Sequence, residues 1–172
     1  PRPVASSAPL SSVIVADVLR CAMASRRIED LHPDLQPLAV RFVERCAERQ
    51  VDVLIVCTFR SDAEQDDLYA IGRGPTDTRK RVTNAKAGQS KHNHVEDIDE
   101  DGEDEPAALA FDAVPLLHGK PVWEDPRDAD ADWTNDFGWR IMGEVAAELG
   151  LVWYGAPGSK FREAPHFQLR ET

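Results

Sequence analysis

The stretch SKHNHVEDIDEDGEDEPAALAFD, residues 90–112, decides how the chain is read. It sets two histidines two apart, then eight carboxylates between Glu96 and Glu105, then an apolar run that ends in a single aspartate. An ionised carboxylate such as Asp112, lying between AALAF and AVPLL, is costly to bury unless it is paired or bound to a cation. A buried arginine such as Arg60 would make it purely structural. The alternative is a metal. His92, Asp112 and His166 together make a two-nitrogen, one-oxygen set with a fourth position free for water, the usual pattern of a catalytic zinc centre, and Glu163 could then act as general base. Pro165 restrains the backbone between Glu163 and His166, which helps to aim both side chains at one point.

The flanking sequence predicts the frame around these residues. From Pro33, the residues Leu35, Leu38, Ala39, Phe42, Val43, Cys46 and Ala47 recur at i, i+3, i+4, i+7 spacing, an amphipathic helix ending near Gln50. VDVLIVCTF, 51–59, is a β-branched apolar run of strand length. Ser61 and Glu64 have capping-box spacing, so SDAEQDDLYAI, 61–71, predicts a second helix with Gly72 as its stop. Arg60 thus falls at a strand-to-helix junction, where side chains tend to face a cleft. Residues 72–91 are polar and unperiodic and predict a long functional loop. AALAFDAVPLL, 107–117, predicts a strand. Phe137, Ile141, Val145 and Leu149 mark a helix closed by Gly150, and LVWYG and HFQLR, 151–155 and 166–170, the last two strands. SVIVADVLRCAMA, 12–24, is a weaker helix because Val13, Ile14 and Val15 disfavour it. The pattern is that of an α+β domain with a small antiparallel sheet flanked by helices. One domain is expected over 26–172, with an acidic insertion at 94–106 and an N-terminal extension over 1–25.

Composition narrows the function. The chain has 172 residues and a formal charge of −11, of which the acidic run supplies eight, so the rest of the molecule is close to balanced. No basic face exists to neutralise phosphates, which argues against nucleic-acid binding. Cys21, Cys46 and Cys57 are odd in number and widely spaced, and Cys46 and Cys57 fall in apolar patterns, so buried thiols are expected rather than a disulfide framework. No stretch reaches the ~20 apolar residues of a membrane span, and the N-terminal residues lack a basic-then-apolar signal pattern.

The acidic run carries a motif of its own. DIDEDG, 97–102, matches the opening of a calcium loop, in which Asp97, Asp99 and Asp101 point inward and Gly102 permits the turn. The twelfth position is Ala108 where a bidentate glutamate belongs, so calcium competes with a plain solvated acidic loop. Calcium held there could order the segment joining His92 to Asp112. His94 shares one face of an extended segment with His92 and competes for the same metal. His32 and His118 read as surface residues.

SKH at 90–92, AFD at 110–112 and EAPH at 163–166 resemble the zinc motifs SxHxxGxAxD and ExxH of the M15 peptidases, the VanY-like family of D-Ala-D-Ala carboxypeptidases and L-alanoyl-D-glutamate endopeptidases. LHPDLQPLAVRFVERC, TFRSDAEQDDLYAIGRG, VTNAKAGQSKHN and LGLVWYG resemble its phage endolysin branch, so the likeness runs from about 26 to 170. It implies a Hedgehog/DD-peptidase-like fold and zinc-dependent cleavage of bacterial peptidoglycan stem peptides. His92, Asp112 and His166 would be ligands, Glu163 the base and Arg60 the oxyanion partner. Ser90, Gln65, Tyr69 and Arg73 fall where the family builds its substrate cleft. Two departures stand out. Ala108 replaces the motif glycine, and His92 and Asp112 are twenty residues apart rather than seven. A monomer made in the host cytoplasm without a signal peptide, and acting in the periplasm on the wall, is expected. The rivals are a D,D- or L,D-carboxypeptidase, a metal-bearing binding module without catalysis, and a calcium-dependent interaction protein.

Overall fold

Helix α1, Gln36–Glu48, places Pro37 in its first turn, where a missing N–H leaves no helical bond unmade, and turns Ala39, Phe42 and Cys46 inward. The chain then crosses into strand β1, Val53–Cys57. Helix α2, Asp62–Ala70, begins with the predicted capping box: Ser61 N donates to Glu64 Oε2 at 2.8 Å, and Glu64 N donates to Ser61 Oγ at 3.4 Å. In this computed structural model residues 24–123, 138–156 and 163–170 are described. Cys21, Phe137 and nearly all of the 12–24 helix expected from sequence lie outside them.

A 3-10 turn, Lys91–Asn93, leads into a two-stranded hairpin of β2, Val95–Glu96, and β3, Glu105–Pro106. Strand β4, Ala110–Leu117, is buried from Ala110 to Pro115 and forms the centre of the main sheet. After β5, Lys120–Pro121, come helix α3, Trp139–Glu148, and strands β6, Val152–Trp153, and β7, His166–Gln168. The sheet is antiparallel in the order β1-β4-β7-β6, with β5 paired to the end of β4. This is the expected α+β architecture, and α1 and α3 pack together on one face.

Strand alternation divides the sheet into an apolar face and a chemical one. Phe111 on β4 pairs with Phe167 on β7, which pairs with Trp153 on β6. Phe42 of α1 closes this row, with ring centroids 5.4 Å from Phe111 and 4.7 Å from Phe167. The next row, one residue along, is Cys57, Asp112 and His166, side by side on the opposite face. A bulge in β1 between Ile55 and Cys57 creates that row. Without it Val56 would stand opposite Asp112, because a one-residue slip exchanges the two faces of a strand.

The long loop after α2 is pinned at its start. Gly72 has φ +72°, and a Cβ there would lie 2.5 Å from the Arg79 carbonyl oxygen. Asp77 accepts from Gly72 N and from the Arg79 backbone and guanidinium, which holds its carboxyl far below the usual range.

The acidic insertion leaves and returns differently from expectation. His92 sits in the 3-10 turn rather than on a strand, so His92 and His94 do not share a face. His94 instead turns toward Glu96, which also meets His32 Nε2 at 3.2 Å. At the hairpin base Ala107 N donates to His94 O at 3.0 Å and Leu109 N to Lys91 O at 2.9 Å, bringing the two arms of the insertion together before β4 begins. Ala108, in place of the motif glycine, is fully buried, and its N–H and carbonyl bond Asp30 O and His32 N.

Candidate metal centre and active site

Asp112 and His166 face each other across β4 and β7, and the 3-10 turn delivers His92 above them. Asp112 Oδ1 lies 3.3 Å from His92 Nε2 and 3.3 Å from His166 Nδ1, and these nitrogens are themselves 3.3 Å apart. Tetrahedral zinc with ligands at about 2.0–2.1 Å separates them by about 3.3–3.4 Å, so the spacing of these three atoms would suit such an ion. All three residues are at least nine-tenths buried.

The nitrogens that face away from the triangle are already committed. His92 Nδ1 donates to the Thr58 carbonyl at 2.6 Å, and His166 Nε2 donates to Gln168 Oε1 at 3.2 Å. These bonds fix ring orientation and tautomer, leaving Nε2 of His92 and Nδ1 of His166 as the free donors, the arrangement that outer partners give metal-binding histidines. Cys57 Sγ also lies within 4.8 Å of ligand atoms of His92 and Asp112. It approaches His92 on the Nδ1 side, at 3.6 Å, behind the ring. The His92, Asp112 and His166 set therefore fits a cation better than the set with the thiol.

Electrostatics agree. Burial alone would push the His92 imidazole down, but Cys57 and Asp112 outweigh it and raise it to about 9. Burial likewise opposes, and Asp112, Glu163 and Gln168 overcome, a raised His166. Asp112 is held well below the carboxylate range despite its burial, chiefly by His92 and by hydrogen bonds from both imidazoles. Positive charge on an imidazole beside the buried carboxylate does there part of what a cation would do.

A cleft of about 340 Å³ opens over the triangle, lined among others by Arg60, Ser90, Lys91, Tyr154, Glu163 and the loop residues 83–85. It brings Glu163 and Arg60 to the same cavity as the three ligand candidates. Arg60, 3 % exposed, does approach Asp112 as the structural reading required, but only to 3.7 Å from Oδ2. Of the four residues expected at the substrate cleft, Ser90 lines it, and its Oγ accepts from His92 N. Gln65 is fully buried, with both ends of its amide bonded within the protein. Tyr69 and Arg73 stand behind the wall: Arg73 stacks on the Tyr69 ring at 3.7 Å and donates to Thr83 O at 2.8 Å, bracing the loop that does line the cleft. Sequence reasoning missed Thr58, Cys57, Gln168 and Tyr154, whose ring packs edge-on to His166 at 4.9 Å. Gln168 alone left a signal, being two residues from His166 on a predicted strand.

A buried two-histidine, one-aspartate centre at the floor of a cleft, with a glutamate on its wall, defines the class of metal-dependent hydrolases. The model of VanY, D-alanyl-D-alanine carboxypeptidase, matches residues 28–154, and the chain belongs to that peptidase family. It is similar to the peptidoglycan L-alanyl-D-glutamate endopeptidase CwlK of Bacillus subtilis, 32 % identical over 141 residues that cover 81 % of this chain and 74 % of CwlK. Among solved structures it is similar to the Serratia marcescens L-Ala D-Glu endopeptidase ChiX, with a TM-score of 0.49, 21 % identity and 87 % and 88 % of the two chains covered. The LdcB LD-carboxypeptidase gives a TM-score of 0.48 with 16 % identity, covering 81 % of this chain and 58 % of that one.

Proposed function

We propose that this protein is a zinc-dependent peptidoglycan endopeptidase that cleaves the L-Ala–D-Glu bond of the stem peptide. The observation that carries the reading is the 3.3 Å triangle of His92, Asp112 and His166 in one cleft with Glu163. The similarity to CwlK supports the choice of bond. Zinc, when bound there, supplies Lewis acidity toward the scissile carbonyl and makes water a better acid. Glu163 takes the proton from the attacking water and returns it to the leaving amine. Arg60 provides positive charge for the carbonyl oxygen as it becomes an oxyanion, an interaction that strengthens only in the transition state. Lys91, on the cleft wall, is the cation we assign to a substrate carboxylate.

The motif resemblance to the endolysin branch supports a phage lysis role, with the enzyme released to the periplasmic side of the wall. Calcium control of the hairpin is supported by Asp97, Asp99 and Asp101, which gather carboxylate oxygens within 4.8 Å, and by Asp97 Oδ1, shielded from solvent without a hydrogen-bond partner. Titration of zinc-loaded protein with calcium in a calorimeter, beside an Asp99→Asn, Asp101→Asn variant, tests that part separately.

Incubating the zinc-loaded protein with purified Gram-negative peptidoglycan and identifying products by mass spectrometry tests the main reading. Stem peptides freed between alanine and glutamate are expected. Loss of terminal alanine alone would replace the endopeptidase with a carboxypeptidase, and an absence of any product would favour a binding module.

A further inference from the structure

The Arg60 side chain is more confined than its chemistry requires. Its Nη1 donates to Gln65 Oε1 at 2.8 Å, its Nη2 to Cys57 Sγ at 3.3 Å, and its buried Nε has no partner. The bond to Gln65 is the shortest contact of the guanidinium, while Asp112 Oδ2 waits 3.7 Å from Nη2, just outside hydrogen-bonding distance. A buried arginine beside a buried carboxylate closes on it unless something holds it back, since charge-assisted pairs shorten to about 2.7–2.9 Å. Gln65 itself cannot move freely: its Nε2 donates to Ala85 O at 2.7 Å and to Thr83 Oγ1 at 3.4 Å, and it is fully buried. Thr83 and Ala85 line the cleft.

We propose that Gln65 is a positioning residue that holds the Arg60 guanidinium off Asp112 and ties it to the 83–85 wall of the cleft. Its amide has the two polarities the task needs, an acceptor toward the arginine and a donor toward the loop carbonyl. Without it Arg60 would pair fully with Asp112, drawing that carboxylate away from the metal triangle and removing positive charge from the cleft. One amide thus serves both metal affinity and transition-state stabilisation, and the inference rests on the peptidase reading for the second of these only.

The test compares Gln65→Met, which keeps the volume and loses all three bonds, with Gln65→Glu, which keeps an acceptor for Arg60 and loses the donor to Ala85 and Thr83. Zinc affinity is measured by competition with a chelating dye, and kcat and KM on peptidoglycan fragments. For Gln65→Met, zinc affinity is expected to fall roughly tenfold or more, as for other outer partners of metal ligands. Its kcat is expected to fall roughly 10²-fold with KM nearly unchanged. Gln65→Glu should recover most of the zinc affinity but not the kcat, because its carboxylate holds Arg60 off Asp112 while neutralising the guanidinium, and amide hydrogen exchange at residues 83–86 rises in both variants. Wild-type zinc affinity and kcat in Gln65→Met would overturn the proposal. So would a rise in KM alone, which would make Gln65 a substrate contact. If the wild-type protein cleaves no peptidoglycan, the functional reading fails, yet the zinc affinities of the two variants still decide whether Gln65 restrains Arg60.

Discussion

Asp112 and His166 are direct cross-strand partners on β4 and β7, and the aspartate oxygen meets the imidazole Nδ1 at 3.3 Å. Two corners of the candidate metal triangle are therefore built into the sheet register, and the third, His92, comes from the 3-10 turn. Asp112→Asn keeps the strand pairing and the volume but removes the anionic ligand. We expect it to fold, with unchanged far-ultraviolet circular dichroism, and to retain zinc at well under one equivalent after dialysis. Stoichiometric zinc in this variant would remove Asp112 from the ligand set, and with it the alternative set of Cys57, His92 and Asp112.

Glu163 lines the cleft without belonging to the triangle. Glu163→Gln should bind zinc as the wild type does and lose roughly 10²–10⁴-fold in kcat, the range for removal of a general acid–base. Metal analysis alongside steady-state kinetics separates the two roles, and a parallel loss of zinc would move Glu163 into the ligand set.

The protonation of the metal-free site predicts how it takes up a cation. His92 is raised to about 9 and so carries a proton at neutral pH, whereas a metal requires a neutral imidazole. Zinc binding near pH 7 should release at least roughly one proton, that of His92, read from calorimetry in buffers of different ionisation enthalpy. Release near zero would mean that the imidazoles are already neutral. Because the folded His92 value lies above its unfolded one, its contribution to the stability of metal-free protein is complete below about pH 6.5 and fades as pH rises through about 9.

Gly72 makes a prediction about the loop. Alanine there combines φ +72° with a Cβ 2.5 Å from the Arg79 carbonyl oxygen. Gly72→Ala should lower stability by about 1–3 kcal/mol in urea unfolding. An equal change at Gly88, also at positive φ but with nothing within 4 Å, should be milder because only the backbone strain remains.

Much of this was legible in the sequence. The periodicity from Leu35 to Ala47, the capping box at Ser61 and Glu64, and the apolar run around Asp112 are local signals, and each produced the expected element. An aspartate in a buried strand also marks its own anomaly. What stayed hidden depends on register. Nothing in VDVLIVCTF says that a bulge will turn Cys57 rather than Val56 toward Asp112, because a bulge is decided by both strands together. Thr58 was equally invisible, since it acts through its backbone carbonyl. Gln65 was placed correctly on its helix, but which way its amide is committed depends on a loop twenty residues further on.

The closed base of the acidic hairpin bears on how such a protein can change. Because Leu109 N bonds Lys91 O and Ala107 N bonds His94 O, the chain is stitched shut between His92 and Asp112. Whatever hangs beyond those stitches is a side branch, and lengthening it is cheap, since each doubling of a flexible loop adds only about 0.6 kcal/mol of closure entropy. The thirteen extra residues could be shortened, replaced by a reporter peptide or exchanged for a wall-targeting sequence at 98–103 while the scaffold beneath holds its shape. The branch is thus a natural grafting point between two residues of the candidate site.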